Sequence, residues 1–181
     1  MGVYGCRNGA WWHSVTYAVT LEHAYGNYAE LEPLYRQHYA AMKERIEATG
    51  VPMSAYNPRI AEYRKAADGG WLLNFVLRCD GKAVGYANIY LTNDMHNNDF
   101  IAQEDTIYVD KQHRNGSGRL LARFVHQELK RRGVKRLNVT TATDLVVSKW
   151  LARQGYKHTA HCMTLVFEES TNVRPFSPSG T

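Results

Sequence analysis

The stretch that decides the fold is VDKQHRNGSGRL, residues 109–120. It joins the end of a predicted strand at Val109 to a predicted helix that begins at Ser117, with Gly116 and Gly118 at the junction. The start of a helix carries unpaired backbone N–H groups and a partial positive charge. Glycines at that point let an anionic ligand approach the backbone closely. Two interpretations are open here: a tight turn that needs glycine, or a loop that binds phosphate.

Two common phosphate-binding motifs do not fit this stretch. A P-loop ends in Gly-Lys-Ser/Thr, whereas Gly118 is followed by Arg119 and Leu120. A dinucleotide fingerprint needs a third glycine at the position of Leu121, and it is expected near the first strand of the domain. Positive side chains nevertheless surround the glycines: Lys111, His113, Arg114, Arg119 and Arg123.

Composition narrows the class of protein. The 181 residues fit one domain, and 44% hydrophobic with 22% charged residues is typical of a globular protein. The net charge of +5 suits an anionic ligand without establishing one. No apolar run is long enough to cross a membrane, so we expect no membrane partner. Three scattered cysteines, Cys6, Cys79 and Cys162, argue against a disulfide framework or metal site and favour a cytoplasmic location.

Hydrophobic periodicity predicts alternating groups of strands and helices. The predicted strands cover residues 13–21, 71–79, 83–91, 100–109, 136–142 and 156–169, and the predicted helices 28–49, 58–67, 117–132 and 145–154. This order predicts a mixed α/β (α+β) domain over residues 1–169, with a mostly antiparallel twisted sheet flanked by helices and a flexible tail at 170–181. The strand-helix-strand crossover after residue 100 predicts a parallel pair that can splay and leave a ligand cleft.

The run from Tyr108 to Lys157 resembles the second half of the GNAT superfamily, the acyl-CoA-dependent N-acetyltransferases. Six parts of the family pattern occur in order: a strand ending in Val109, the glycine loop, a helix, a strand, a short helix, and Gly155-Tyr156 opening the next strand. The resemblance implies the GNAT fold. Residues 1–99 would form the acceptor side, and residues 100–169 would bind acyl-CoA.

The resemblance also implies binding residues for acetyl-CoA. The pantetheine arm would pair with the backbone of Ile107, Tyr108 and Val109. The diphosphate would lie on the loop, at His113, Arg114, Asn115, Gly116, Ser117, Gly118 and Arg119. Asp144 corresponds to an asparagine that the family places at the head of the short helix. One feature departs from the pattern: the family's Gln or Arg falls on His113, with Arg114 one position later, so either the loop is shortened or His113 replaces that side chain.

The catalytic groups depart further from the family pattern than the binding residues do. Many relatives use a tyrosine four residues before Gly155 as general acid, and that position here is Leu151. Ser148 and Thr141 are the candidate substitutes, whereas Tyr156 lies too far along the next strand, and a well-solvated thiolate can also leave without an acid. For the general base, two carboxylates precede Val109, namely Glu104 and Asp105. Strand alternation puts Asp105 with Ile107 and Val109, and Glu104 with Thr106 and Tyr108, unless a bulge exchanges them. We rank Asp105 first.

The sequence therefore predicts an N-acetyltransferase that uses acetyl-CoA as co-substrate and no metal. It transfers an acetyl group directly to a primary amine of an acceptor that stays open between a small molecule, a protein and an aminoacyl-tRNA. Two alternatives remain: a catalytically silent acyl-CoA-binding module, and a basic protein that binds nucleic acid through residues such as 130–136. Nucleic acid is the less favoured partner. The oligomeric state stays open, with a homodimer among the alternatives.

Overall fold

The computed structural model describes residues 15–141 and 145–167. In chain order the elements are β1 (Tyr17–Glu22), α1 (Tyr28–Glu47), α2 (Ile60–Asp68), β2 (Leu72–Cys79), β3 (Lys82–Asn93), β4 (Phe100–Val109), a short 3-10 turn (Lys111–His113), α3 (Ser117–Arg131), β5 (Leu137–Asn138) and α4 (Leu145–Arg153). No helix in the described ranges is both long enough and apolar enough to span a bilayer. The predicted tail at 170–181 lies outside the described residues.

One five-stranded sheet, in the order β1-β2-β3-β4-β5, organises the chain. The pairs β1/β2, β2/β3 and β3/β4 are antiparallel, whereas β4/β5 is parallel. β5 pairs with β4 only at Ala102 and Gln103, so the remainder of β4 runs on beyond its last described β5 partner. The predicted mixed sheet with a splayed parallel pair is confirmed.

The β2–β3 hairpin follows from its turn sequence. Asp80 and Gly81 connect the two strands with φ of 48° and 84°, and Cys79 pairs directly with Lys82. A two-residue turn with positive φ at both positions matches the right-handed twist of the flanking strands, and Asp-Gly adopts it readily. Strand β3 then forms the centre of the sheet.

Both faces of the sheet are covered by helices, and the side chains of β2 alternate strictly between the two faces. Leu72 and Val76 pack with α1 and α2, whereas Leu73, Phe75 and Leu77 pack with α3. The α1/α2 face is rich in tyrosine, and the α3 face is aliphatic: Leu121, Val125 and Leu129 line the helix at spacings of four. Helices α1 and α2 thus cover one hydrophobic core, and α3 covers the other.

A β-bulge interrupts the β3/β4 ladder. Asn88 pairs with Thr106 but the next residue, Ile89, pairs with Glu104, so Asp105 is an extra residue in β4. Beyond a bulge the side chains exchange faces relative to simple alternation. Tyr108 accordingly packs in the α1/α2 cluster with Asp105 on that side, whereas Ala102, Ile107 and Val109 pack toward α3. Simple alternation was therefore wrong, and the bulge alternative is confirmed.

Two predicted strands differ in the structure: one is shorter than predicted, and the other does not form in the described residues. Residues 136–142 contribute only the two-residue β5, and residues 156–167 form no strand. That last segment is exposed, including Met163, Leu165 and Phe167. Its composition favours an extended strand, but a strand exists only where a neighbouring edge supplies backbone hydrogen bonds, and the described residues supply none.

Gly85 is required where β3 approaches β4. A Cβ at this position would lie 2.8 Å from the Tyr108 carbonyl oxygen and 3.2 Å from Val109 Cα, both of them backbone atoms. We expect Gly85→Ala to lower the free energy of unfolding by about 1–3 kcal/mol, the usual cost of overpacking. Chemical denaturation measures the change. Gly118→Ala is the matched control, because its Cβ meets only Val109 Cγ2, at 4.0 Å. Equal stability of the two variants would contradict the packing argument.

Candidate active site at the end of β4

The cleft begins where β5 leaves β4. Asp110 N–H donates to the Val84 carbonyl at 2.9 Å, on the β3 side of the strand. Backbone groups alternate between the two edges of a strand, so the peptide groups of Val109 and Ile107 face the opposite edge, toward the gap. An extended ligand can pair with such an edge as an additional strand would. The peptide groups of Ile107 and Val109 thus face the gap, whereas Tyr108 directs its peptide groups toward β3, and the role of these three residues in binding the pantetheine arm stays a prediction.

The glycine loop leads directly from this edge into α3. Gly116 precedes the helix with φ of 108°, a left-handed conformation that glycine adopts without strain. Its carbonyl accepts the Arg119 N–H at 3.0 Å, and the Ser117 hydroxyl donates to the His113 carbonyl. The first-turn amides of a helix have no partner four residues earlier in the chain. These amides and the helix dipole therefore provide a place for an anion at the mouth of the cleft.

Tyr17 of β1 holds this loop from the far side. Its hydroxyl lies 3.0 Å from His113 Nδ1 and accepts a hydrogen bond from Asn115 Nδ2 at 3.2 Å. His113 and Asn115 are therefore engaged by β1, and their side chains position the loop. Sequence reasoning missed Tyr17, because 96 residues separate it from His113 and no local pattern reports the contact.

Arg114 lies over the end of β4. Its Nε donates to the Val109 carbonyl at 2.8 Å, and its guanidinium carbon is 5.5 Å from the centre of the Tyr108 ring. The side chain thus reaches the same backbone edge that faces the gap. Arg114 thus contacts the end of β4, while His113 is turned toward Tyr17, and which of the two replaces the family's Gln or Arg stays a prediction. Arg119 is exposed in the first turn of α3.

Asp105 faces α1 and α2. The Tyr63 hydroxyl of α2 donates to Asp105 Oδ2 at 3.1 Å, and the Thr106 hydroxyl lies 3.4 Å from the same oxygen. Burial raises the pKa of Asp105 above its ordinary value, although both hydroxyl contacts oppose the shift. A carboxylate with a raised pKa accepts a proton more readily at neutral pH.

Glu104 faces the opposite side of the strand. The Thr140 backbone N–H, just beyond β5, donates to Glu104 Oε2 at 3.2 Å. Burial raises the pKa of Glu104 to about 7, with a smaller contribution from the charge on Asp105. The Tyr156 hydroxyl lies 2.7 Å from His126 Nε2 of α3. Burial raises the pKa of Tyr156 to about 12, and the charge on Glu104 adds to this rise. The two carboxylates therefore lie on different faces of the sheet, and the bulge decides which face each one takes.

Aromatic side chains surround the Asp105 side of the site. Tyr25 stacks on the rings of Tyr28, Tyr35 and Tyr63 at centroid distances of 5.2, 5.6 and 4.7 Å. Tyr63 also stacks on Tyr90 of β3 at 6.5 Å. Sequence reasoning recognised the tyrosine-rich first helix but missed Tyr63, whose signal was one aromatic residue on a short amphipathic helix. This cluster forms the wall on the α1/α2 side.

Three predictions fall on or beside α4. Ser148 is half-buried, and among the described residues it makes no hydrogen bond to either carboxylate. Leu151, where many relatives carry a tyrosine, is 8% exposed and fills apolar space. Asp144 lies outside the described residues. Within those residues no group of three or more His, Cys, Asp or Glu side chains is arranged to hold a metal ion.

The fold agrees with that of known proteins. The model of the Acetyltransferase (GNAT) family matches residues 30–156. A ribosomal-protein-alanine N-acetyltransferase from Brucella melitensis biovar Abortus 2308 is similar in structure, with a TM-score of 0.65, 19% identity, and coverage of 87% of this chain and 100% of that one. An aminoglycoside acetyltransferase from an uncultured soil metagenomic sample is also similar in structure, with a TM-score of 0.63 and 17% identity. The match covers 86% of this chain and 100% of that one.

A third similar structure carries a ligand in its description. It is AAC(6')-Iy in complex with the bisubstrate analogue CoA-S-monomethyl-acetylneamine, with a TM-score of 0.63, 14% identity, and coverage of 84% of this chain and 99% of that one. Identities this low show a shared fold and no more. No curated protein sequence matches the chain significantly.

The raised pKa of Glu104 predicts how the stability of the folded protein depends on pH. Its pKa rises from 4.5 in the unfolded chain to about 7 in the folded protein, so folding favours the neutral form. The stability that this group contributes is complete below pH 4.5 and is lost as the pH rises through 7. Relative to wild type, Glu104→Gln should gain roughly 3 kcal/mol of unfolding free energy between acid and neutral pH.

Urea denaturation of wild type and Glu104→Gln across that pH range measures the difference in their unfolding free energies. Taking the difference cancels the contributions of the other carboxylates. Glu62→Gln, an exposed change on α2, is the control and should show no such trend. A constant difference between wild type and Glu104→Gln at all pH values would contradict the burial of a titrating carboxyl.

Proposed function

The chain belongs to the GNAT acetyltransferase family, and from that premise we propose that it transfers the acetyl group of acetyl-CoA directly to a primary amine. The observation that carries the proposal is the combination at the end of β4. There a strand edge faces a gap, a helix start presents first-turn amides that suit an anion, and a half-buried carboxylate lies on the strand between them and the tyrosine wall.

Acetyl-CoA fits the cleft in one direction. The diphosphate would lie on the first-turn amides of α3, with Gly116 allowing close approach and Arg114 supplying positive charge. The pantetheine arm would then run along the backbone of Val109 and Ile107 toward the point where the strands converge. Binding requires Arg114 to leave the Val109 carbonyl, because the two interactions use the same edge.

Asp105 is the group placed to act as general base. It lies on the α1/α2 face, where an acceptor entering past the tyrosine wall would meet the thioester, and its raised pKa favours proton uptake. The neutral amine attacks the thioester carbonyl, the N–C bond forms, and the C–S bond then breaks to release CoA. Tyr63 positions Asp105 through its hydroxyl hydrogen bond.

The acceptor is defined here only as a primary amine. Among structurally similar proteins, one is described as acting on ribosomal-protein alanine and others on aminoglycosides, so the shared fold does not select between a protein and a small molecule. Aminoacyl-tRNA remains a third class. The scattered cysteines support a cytoplasmic setting for the reaction.

A catalytically silent acyl-CoA-binding module is the second candidate, favoured by the leucine at position 151. Calorimetry with acetyl-CoA tests what both proposals share. A thiol-release assay then separates them, with small amines, N-terminal peptides, a lysine-rich protein and aminoacyl-tRNA as acceptors. Transfer to any acceptor supports the enzyme, tight binding without transfer supports the module, and absence of binding rejects both.

Tyr17→Phe should weaken acetyl-CoA binding. The change removes the hydroxyl that engages His113 and Asn115, and with it the contact that orders the loop. A net loss of about 1 kcal/mol corresponds to an increase in Kd of about fivefold by calorimetry. Tyr39→Phe is the matched control, since it also removes one hydroxyl hydrogen bond, to the Ser54 carbonyl away from the loop. An equal effect of both changes would contradict a specific role for Tyr17.

Asp105→Asn should lower kcat by about 100-fold or more and leave acetyl-CoA affinity nearly unchanged. The amide keeps the shape and the contact with Tyr63 but cannot take a proton. Thiol release gives kcat, and calorimetry gives the affinity. Asp68→Asn, an exposed carboxylate on α2, is the control. Parallel losses of kcat and affinity in Asp105→Asn would argue against a role as base.

A further inference from the structure

The proposed reaction leaves one proton without a donor. When the C–S bond breaks, the electron pair goes to sulfur, and the CoA thiolate is a better leaving group if it is protonated as it departs. The residue at the position of the usual tyrosine, Leu151, cannot donate one, and Ser148 makes no hydrogen bond to either carboxylate within the described residues. Another group near the end of the pantetheine path has to supply the proton, or the thiolate leaves unassisted.

We propose that Glu104 donates this proton to the departing CoA sulfur. The proposal rests on the acetyltransferase function above and adds to it an acid that is a carboxyl on β4. The Glu104 side chain points away from the acceptor wall, toward α3 and the end of β5. It is thus a separate group from the base, Asp105, on the other face of the same strand.

The position of Glu104 along β4 supports this role. Gln103 is the last β4 residue paired with β5, so Glu104 stands at the point where the two strands separate. From Val109 to Glu104 the strand extends ~17 Å at its usual rise per residue. An extended pantetheine arm that starts at the diphosphate loop and follows this edge ends at the narrow end of the cleft. Its sulfur would therefore arrive next to Glu104.

Among the residues that the structure describes, only one oxygen of the Glu104 carboxyl has a hydrogen-bond donor. Thr140 N–H donates to Oε2, which fixes the carboxyl at the separation point. An oxygen that accepts a backbone N–H is a poor place for the proton, so Oε1 carries it. The charged form is held back by burial and by the neighbouring Asp105 carboxylate, which keeps a substantial fraction of Glu104 protonated near neutral pH.

The groups that face Glu104 from other elements do not counteract the rise in its pKa. Tyr156, which follows α4, is held neutral by burial and by the Glu104 charge, and it is hydrogen-bonded to His126. Burial lowers the pKa of His126 on α3, so the imidazole is also neutral near pH 7. Neither group supplies a positive charge that would force Glu104 to ionise.

The step balances without any further reactant. The ammonium form of the acceptor first loses one proton to water. As the neutral amine attacks and the N–C bond forms, Asp105 takes a second proton from the nitrogen, and the C–S bond breaks with its electron pair on sulfur. Glu104 passes its proton to that sulfur and becomes a carboxylate. After products leave, Asp105 releases its proton to water and Glu104 takes one up, which restores the starting state. The net products are the acetamide, CoA with a free thiol, and one proton from the ammonium form of the acceptor.

The test compares Glu104→Gln with wild type in two measurements. The first is the pKa of the CoA thiol bound to each protein, followed by ultraviolet absorbance of the thiolate. Because a Glu104 carboxylate beside the sulfur opposes a second negative charge, the bound thiol should have a lower pKa in Glu104→Gln than in wild type. The second is the pH profile of kcat, in which wild type should lose rate above about pH 7 as Glu104 ionises.

Glu104→Gln should show about 10–100-fold lower kcat at neutral pH and no loss of rate above pH 7, with unchanged CoA affinity. Glu104→Asp retains a carboxylic acid and should restore part of the rate together with the alkaline decline. Glu62→Gln on α2 is the charge-matched control and should behave as wild type in both measurements.

Unchanged thiol pKa and an unchanged pH profile in Glu104→Gln would overturn the inference while leaving the acetyltransferase standing. A parallel loss of CoA binding and rate would also overturn it, because that pattern indicates a structural role. If wild type binds no CoA at all, the proposed function itself fails, and this result is distinct from both others.

Discussion

One extra residue in β4 organises the chemistry of this site. The bulge at Asp105 shifts the β3/β4 register, so Asp105 shares the α1/α2 face with Tyr108 and Glu104 lies on the other face of the sheet. A regular strand would also place neighbours on opposite faces, but it would put Tyr108 with Glu104 and leave Ile107 and Val109 with Asp105. The bulge instead lets Tyr108 join the aromatic core while Ile107 and Val109 pack toward α3. A buried amide pair, Asn74 and Asn88 at 2.6 Å, lies beside this irregularity in the ladder.

The anion site depends on contacts that are remote in sequence. Gly116 supplies the left-handed turn, but the loop is held by Tyr17 from β1, whose hydroxyl contacts His113 and Asn115. Each element would be mobile on its own, because a glycine-rich turn has high conformational entropy in the unfolded chain. Packing of the sheet therefore orders the loop before any ligand arrives, and this lowers the entropy that binding has to overcome.

Stability and function conflict at Glu104. Burial of this carboxyl costs the folded protein stability near neutral pH, and no cation in the surroundings described here compensates for it. The pKa of Glu128 is shifted in the opposite direction, because hydrogen bonds from Arg131 and Arg132 lower it to about 2. A buried group with a strongly perturbed pKa at the end of a cleft is typical of a functional site, where strain is retained because it serves the reaction. Asp105 follows the same pattern on the other face.

The sequence by itself determined the order of elements, the β2–β3 hairpin and the glycine turn into α3, because each depends on local backbone preference and short-range periodicity. It also indicated both carboxylates, and it left open a bulge that would exchange their faces. Tertiary structure alone decided that the bulge is present, that Tyr17 holds the loop, and that residues 156–167 form no strand. These features depend on pairing and burial between residues far apart in the chain, and such contacts leave no periodic signal in one sequence.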